Sequence, residues 1–267
     1  MGDEIVKTPG SEEGQLKERV DFLKVPIDII DPNRFDRLVF QLLAEKKEQN
    51  IVLLSVWDIL RARRNAEYRD YVKQAALVIP ISKSIIRGIQ FLLGKQAVRY
   101  MPFNFVIKIL TILGNSEFSC YLLGSKKRVL KKVEKNIRDT FPALRVVGRC
   151  SGSFKRQEEA VIIEAIRKAS PSLLLVGKGV RGGEHWIALN SGRLGKGMRL
   201  WCSDLFDVFA ERKRHPSQTI FDLGLEWIGY CMQSPVKLLR FFPFMYYNFL
   251  LVIYKISKKD KPETETA

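Results

Sequence analysis

The chain has 267 residues, of which 46% are hydrophobic and 28% charged. That balance supports a full hydrophobic core and excludes a wholly disordered chain. Lys and Arg number 45 against 29 Asp and Glu, a net charge of +16, and such a field attracts nucleic acid, anionic lipid or a diphosphate.

Residues 1–22, rich in Gly, Glu and Lys, are expected to be flexible. An apolar-alternating run at 24–30 predicts a strand. Asp31-Pro32 opens a helix, with Asp at the cap and Pro at the first helical position. Phe35, Leu38, Val39, Leu42 and Leu43 form its buried stripe. Strand-like apolar runs follow at 51–54, 76–79, 118–123, 144–148, 172–176 and 199–202. Helical spacing is read at 58–74, 84–93, 102–113, 126–140, 156–169 and 182–191. In 156–169 the apolar side is assigned to Val161, Ala165, Ile166 and Ala169. Residues 223–240 read as a helix carrying Trp227, a break at Pro235, and a second helix opening on Lys237 and Arg240.

Short apolar strands alternating with amphipathic helices predict an α/β fold, a mostly parallel sheet with helices on both faces. Ligands in such sheets bind beyond the carboxyl ends of the strands. The segments to inspect are therefore 55–58, 80–83, 124–125, 150–154, 177–184 and 203–207. The expected division is a flexible segment at 1–22, an α/β domain at 23–232, a basic and aromatic helical appendage at 233–258, and a tail at 259–267.

Gly124-Ser125 leads from a strand into a helix, where close backbone approach and the helix N-terminus suit a nucleotide diphosphate. The helix that follows carries Lys126, Lys127, Arg128, Lys131, Lys132, Lys135 and Arg138. Beyond its first turn these are read as a solvated face, and nucleic acid is not an expected partner. The loop 177–184, with Gly177, Gly179, Gly182 and Gly183, is either a substrate loop or a plain turn, and Glu184 either touches ligand or caps the next helix. Asp204 and Asp207 stand beside Arg212, Lys213 and Arg214. The aromatic stretch 241–251 is flanked by Lys237, Arg240, Lys255, Lys258 and Lys259, a composition that suits the lipid headgroup boundary.

Cys120, Cys150, Cys202 and Cys231 are far apart, and His185 and His215 complete no ligand set, so neither metal nor other cofactor is expected. The first twenty residues lack the apolar run of a signal peptide. No stretch reaches the roughly 18–20 apolar residues of a membrane span. The expected location is cytoplasmic, peripheral on the inner face of the cell membrane.

From Phe118 to Arg240 the chain resembles the WecG/TagA/CpsF family of bacterial glycosyltransferases. The resemblance rests on Tyr121-Leu122-Leu123-Gly124, on Phe141 to Gly148 followed by Gly152-Ser153-Phe154, and on Leu173 to Gly179. It continues through Phe206-Asp207, Lys213 to Pro216, and Gly224-Leu225-Glu226-Trp227 with Pro235, Lys237 and Arg240. It implies a Rossmann-like fold and transfer, with inversion, of an N-acetylmannosamine-type sugar from a UDP donor. The acceptor it implies is a polyprenyl-diphosphate-linked sugar used in surface polysaccharide synthesis. Gly124, Ser125, Gly179 and Glu184 would then line the donor pocket. Arg214, Lys237 and Arg240 would bind the lipid diphosphate, beside an anionic membrane surface.

The chain departs from the family where catalysis is expected. The family's Asp-Gly, whose aspartate deprotonates the acceptor, aligns with Ile81-Ser82, and no carboxylate lies between Asp70 and Glu117. Of its "PKQE" only Glu184 remains. Asp207 is the remaining candidate base. A catalytically inactive, membrane-associated binding or scaffold protein is the alternative expectation.

Overall fold

The computed structural model describes residues 16–213, 221 and 241–259. Six parallel strands form the central sheet: β3 (Glu48–Leu54), β4 (Leu77–Pro80), β5 (Ser119–Leu123), β6 (Arg145–Cys150), β7 (Leu173–Gly177) and β8 (Gly197–Ser203), in the order β4-β3-β8-β7-β5-β6. The α/β reading is thus correct. Every residue of β4, β5 and β7 is buried, as a sheet covered on both faces requires. Side chains alternate between the faces. Ile51, Leu77, Ile79, Leu122 and Leu175 enter one core with α1 (Phe35–Ala44), α5 (Pro102–Asn115), α6 (Lys127–Thr140) and α9 (Leu205–Phe209). Val52, Leu54, Val78, Leu123 and Val176 face α2 (Val56–Arg64), α3 (Ala66–Gln74), α4 (Lys83–Leu93), α7 (Glu159–Ala169) and α8 (Glu184–Leu194).

Local chemistry adjusts several sequence boundaries. The single helix expected at 58–74 is two, because Asn65 adopts an extended conformation and caps α3 by accepting from the Tyr68 amide. Ser55 and Asp58 form a reciprocal capping box that starts α2. Asp31 caps a single 3-10 turn, Pro32–Arg34, before α1. In α7 the buried stripe is Ile162, Ile163 and Ile166, and Val161 is exposed. The expected side was rotated by about one position, since Ile162 and Ile163 outweigh the alanines in apolar area.

The N-terminal segment also differs from expectation. Residues 17–22, assigned to a flexible segment, form β1 (Lys17–Phe22), antiparallel to β2 (Val25–Ile30). Val20 and Phe22 are buried, and the charged residues between them kept the alternation from standing out. Asp28 of β2 is almost fully buried. It accepts from Arg19 Nε and Nη2, each at 2.7 Å, and from the Val78 amide at 2.7 Å. The hairpin thereby supplies an acceptor to the outer edge of β4.

A last helix, α10 (Phe241–Lys259), lies against α2 and α4. Tyr247, Leu250 and Leu251 are buried in the same cluster as Phe22, Ile85 and Ile89. Tyr247 donates its hydroxyl to the Ser84 carbonyl at 2.9 Å. Gly88 of α4 makes the close approach possible: a Cβ there would lie 2.6 Å from the Tyr247 hydroxyl and 2.7 Å from the Phe22 ring. Among the described residues no helix is long and apolar enough to cross a membrane.

Candidate active site

Neighbouring strands β5 and β7 send the chain in opposite directions. From β5, α6 leads outward to the edge strand β6; from β7, α8 leads inward to β8. The two helices lie on opposite faces of the sheet. Such a divergence opens a crevice at the carboxyl ends of the strands.

The loops at this crevice are knitted together by backbone. The Gly124 amide donates to the Cys150 carbonyl at 3.0 Å, and Ser125 donates to the Lys178 carbonyl. The Gly152 amide and the Ser151 hydroxyl both donate to the Ser125 carbonyl, at 3.1 and 3.0 Å. Glycine is required for this fit. A Cβ on Gly152 would lie 2.7 Å from the backbone of Gly179 and Val180, and one on Gly124 would lie 2.7 Å from the Gly177 carbonyl oxygen. Three of the sequence candidates, Gly124, Ser125 and Gly179, therefore meet in one place. Their first task is structural, because the amides of Gly124 and Ser125 are already spent on carbonyls of neighbouring loops.

Gly152→Val is expected to cost about 1–3 kcal/mol, because the atoms it would strike are backbone and cannot rotate away. Gly192→Ala in α8, with open space around its Cβ, should change the melting temperature little. Equal melts for the two variants would show that the loops tolerate separation.

A second cluster stands where α2, α3 and α8 begin. Loop 178–183 ends at Gly183, whose φ of 57° and ψ of −120° suit only glycine, and Glu184 follows as the first residue of α8. The Glu184 side chain is largely buried, with part of the residue open to solvent. Its Oε2 accepts the Tyr68 hydroxyl at 2.8 Å. Arg61 stacks 3.9 Å over the Tyr68 ring, and His185 Nδ1 lies 3.7 Å from Glu67. Burial, reinforced by the negative charge of Asp58, pushes the Glu184 carboxyl up to about 7. The Tyr68 hydrogen bond and Arg61 oppose that shift. Tyr68 itself is pushed well above the phenol range by burial and the Glu184 charge, so it stays a donor.

The Ile81-Ser82 turn adjoins this cluster. The Ile81 amide donates to the Leu54 carbonyl at 3.0 Å, and Ser82 Oγ accepts the Val56 amide at 3.3 Å. Ile81 packs partly buried against the core, and its carbonyl accepts Arg99 Nε at 2.8 Å.

Beyond β8 lies a rim of ion pairs. Asp204 is bonded by Lys213 and lies 3.5 Å from Lys178; the Lys213 hydrogen bond, aided by both cations, holds it below the usual carboxylate range. Asp207, in α9, has Arg212 at 3.4 Å. Arg214, Lys237 and Arg240 lie outside the described residues. Among the described residues no group of three or more His, Cys, Asp or Glu is arranged to hold a metal ion.

Arg61 had escaped the sequence reading, and Asp58, inside the inspected segment 55–58, and Tyr68 had been given no role there. The Ser55-x-x-Asp58 spacing is a legible cap, but the bond from Tyr68 to Glu184 spans 116 residues and leaves no local pattern. In comparison with known proteins, a family model described as "Glycosyl transferase WecG/TagA/CpsF family" matches residues 20–262.

Proposed function

The chain belongs to the WecG/TagA/CpsF family of glycosyl transferases, and from that premise we propose that it moves an N-acetylmannosamine-type sugar from UDP to a polyprenyl-diphosphate-linked acceptor at a membrane surface. The observation that carries this reading is the meeting of Gly124, Ser125, Gly152 and Gly179 at the divergence of β5 and β7. A nucleotide bound beyond these strand ends would face Ser125, whose hydroxyl makes no hydrogen bond to a described residue, with Glu184 at the far side of loop 178–183. In this proposal Arg214, Lys237 and Arg240 neutralise the acceptor diphosphate.

The lipid side of the proposal rests on α10. Phe242, Met245, Phe249, Val252 and Ile256 recur at spacings of three and four and form an exposed apolar stripe opposite the docked face. Such a stripe suits the boundary between headgroups and acyl chains. The anionic inner face of the cell membrane is the proposed location.

The test is release of UDP when purified protein is mixed with UDP-N-acetylmannosamine and a GlcNAc-diphosphate lipid in vesicles. Turnover only with both substrates is the expected result. A second reading, an inactive lipid-surface scaffold, is supported by the motif resemblance, which sets Ile81, a residue that can take no proton, against the family's aspartate. That reading predicts vesicle binding with neither donor binding nor UDP release.

A further inference from the structure

Transfer of a sugar to a hydroxyl needs a group that accepts the hydroxyl proton, and the carboxylates at the carboxyl end of the sheet differ sharply in their fitness for that task. Asp58 Oδ2 accepts both the Ser55 amide at 2.8 Å and the Ser55 hydroxyl at 2.5 Å, and is consumed as a helix cap. Asp204 is tied to two lysines. Glu158 caps the Lys155 amide, and Glu159 accepts the Trp186 indole N–H. Asp207 faces Arg212. Glu184 is set apart by its burial and by the raised proton affinity that follows from it, with Tyr68 on Oε2 and no hydrogen bond from a described residue on Oε1.

We propose that Glu184 is the catalytic base: its Oε1 takes the acceptor proton while Tyr68 holds Oε2. The assignment rests on the transferase reading above. In the step, the acceptor oxygen forms a bond to the anomeric carbon as the bond from that carbon to the UDP oxygen breaks. The bonding pair leaves with UDP, and the acceptor proton passes to Glu184.

The surroundings suit a carboxylate that must both lose and regain a proton. Asp58 and Arg61 face it from α2, Tyr68 and Tyr71 from α3, and the adjacent His185 on α8 is engaged with Glu67. With its proton affinity set near neutrality, a large share of Glu184 is ionised at pH 7, and the proton gained is still strongly held, the compromise a general base needs. The same shift has a stability consequence. A carboxyl with a raised folded-state pKa contributes stability below its unfolded value near 4.5, and that contribution is lost as pH rises through about 7.

The experiment follows UDP release from UDP-N-acetylmannosamine and a GlcNAc-diphosphate lipid between pH 5 and 9. For the unaltered chain, kcat/KM should rise about tenfold per pH unit and level off above about pH 7. Asp58→Asn removes a charge that raises the pKa and should move the inflection to lower pH. Tyr68→Phe removes a bond that lowers it and should move the inflection to higher pH. Glu184→Gln should lose about 10²- to 10⁴-fold in turnover, retain donor binding by calorimetry, and melt higher than the unaltered chain at pH 8 but not at pH 4.5. Turnover kept by Glu184→Gln overturns the proposal, as does an inflection that moves with neither neighbour. If Asp207→Asn abolishes turnover while Glu184→Gln does not, the base is Asp207. An unaltered chain that releases no UDP sinks the transferase reading itself, and this assignment with it.

Discussion

Asp28→Ala is expected to destabilise the fold by about 3 kcal/mol, read as a lower urea midpoint at unchanged slope. The carboxylate is almost completely buried and serves three donors, Arg19 Nε and Nη2 and the Val78 amide, with Lys17 at 3.4 Å. Its loss orphans a buried amide on β4, worth about 1–3 kcal/mol, and removes charge-assisted bonds worth about 1.5–3 kcal/mol. The figure stays near the lower end of that sum because Arg19 is about a third exposed and can turn to water. Asp28→Asn, which keeps one acceptor, should fall between the two. A cost below about 1 kcal/mol would mean that the hairpin does not tie down the sheet edge.

The second large effect concerns α10, whose two faces should respond in opposite ways. Phe242→Ser, Phe249→Ser and Ile256→Ser together should weaken binding to anionic vesicles by at least about a hundredfold. Each such side chain contributes about 1.5–3 kcal/mol when fully withdrawn from water, and partial insertion of all three already exceeds the 2.7 kcal/mol or so that a hundredfold change requires. At exposures of 67%, 61% and 58% these side chains have little packing to lose, so the melting temperature should change little. Tyr247→Ala acts from the docked side. It should cost about 3 kcal/mol or more, by emptying the space against Phe22 and Gly88 and freeing the Ser84 carbonyl. Vesicle binding that survives the triple substitution would place lipid contact elsewhere. A triple variant that fails to fold would show that the stripe is covered by the protein itself.

The helix accordingly has two apolar sides, one of them docked on α2 and α4. On sequence alone the aromatics of 241–251 fell on nearly all sides, which suggested an interfacial segment standing apart from the core. In the folded chain Tyr247, Leu250 and Leu251 line one side, and the exposed stripe lines the other. Apolar residues all round a helix mean that both sides are to be covered, and nothing in the pattern says by what.

Elsewhere the same contrast recurs residue by residue. The buried runs at 51–54, 118–123 and 172–176 announced central parallel strands because strand periodicity and full burial are local properties. Gly124, Gly152 and Gly179 could be picked out as special loop positions, yet not as one another's reason for being glycine, since their contacts join three separate loops. β1 went unread because its inward residues, Val20 and Phe22, alternate with the charges of Arg19 and Asp21, and the partner of Arg19, Asp28, lies on the next strand. Glu184 drew attention as the residue closing a glycine-rich loop and as what remains of the family's "PKQE". Its protonation is set by Tyr68, Asp58 and Arg61 on two other helices.

Composition, periodicity and turn chemistry thus determined by themselves that this chain builds a covered parallel sheet with glycine loops at its carboxyl edge and an aromatic end. Each of those traits is carried by residues within a few positions of one another. Which carboxylate is desolvated, which side of the last helix is docked and which loops touch were decided only by the tertiary structure. Desolvation and Coulomb interaction depend on distance in space, and neighbours as far apart as Tyr68 and Glu184, 116 positions, leave no period in the chain.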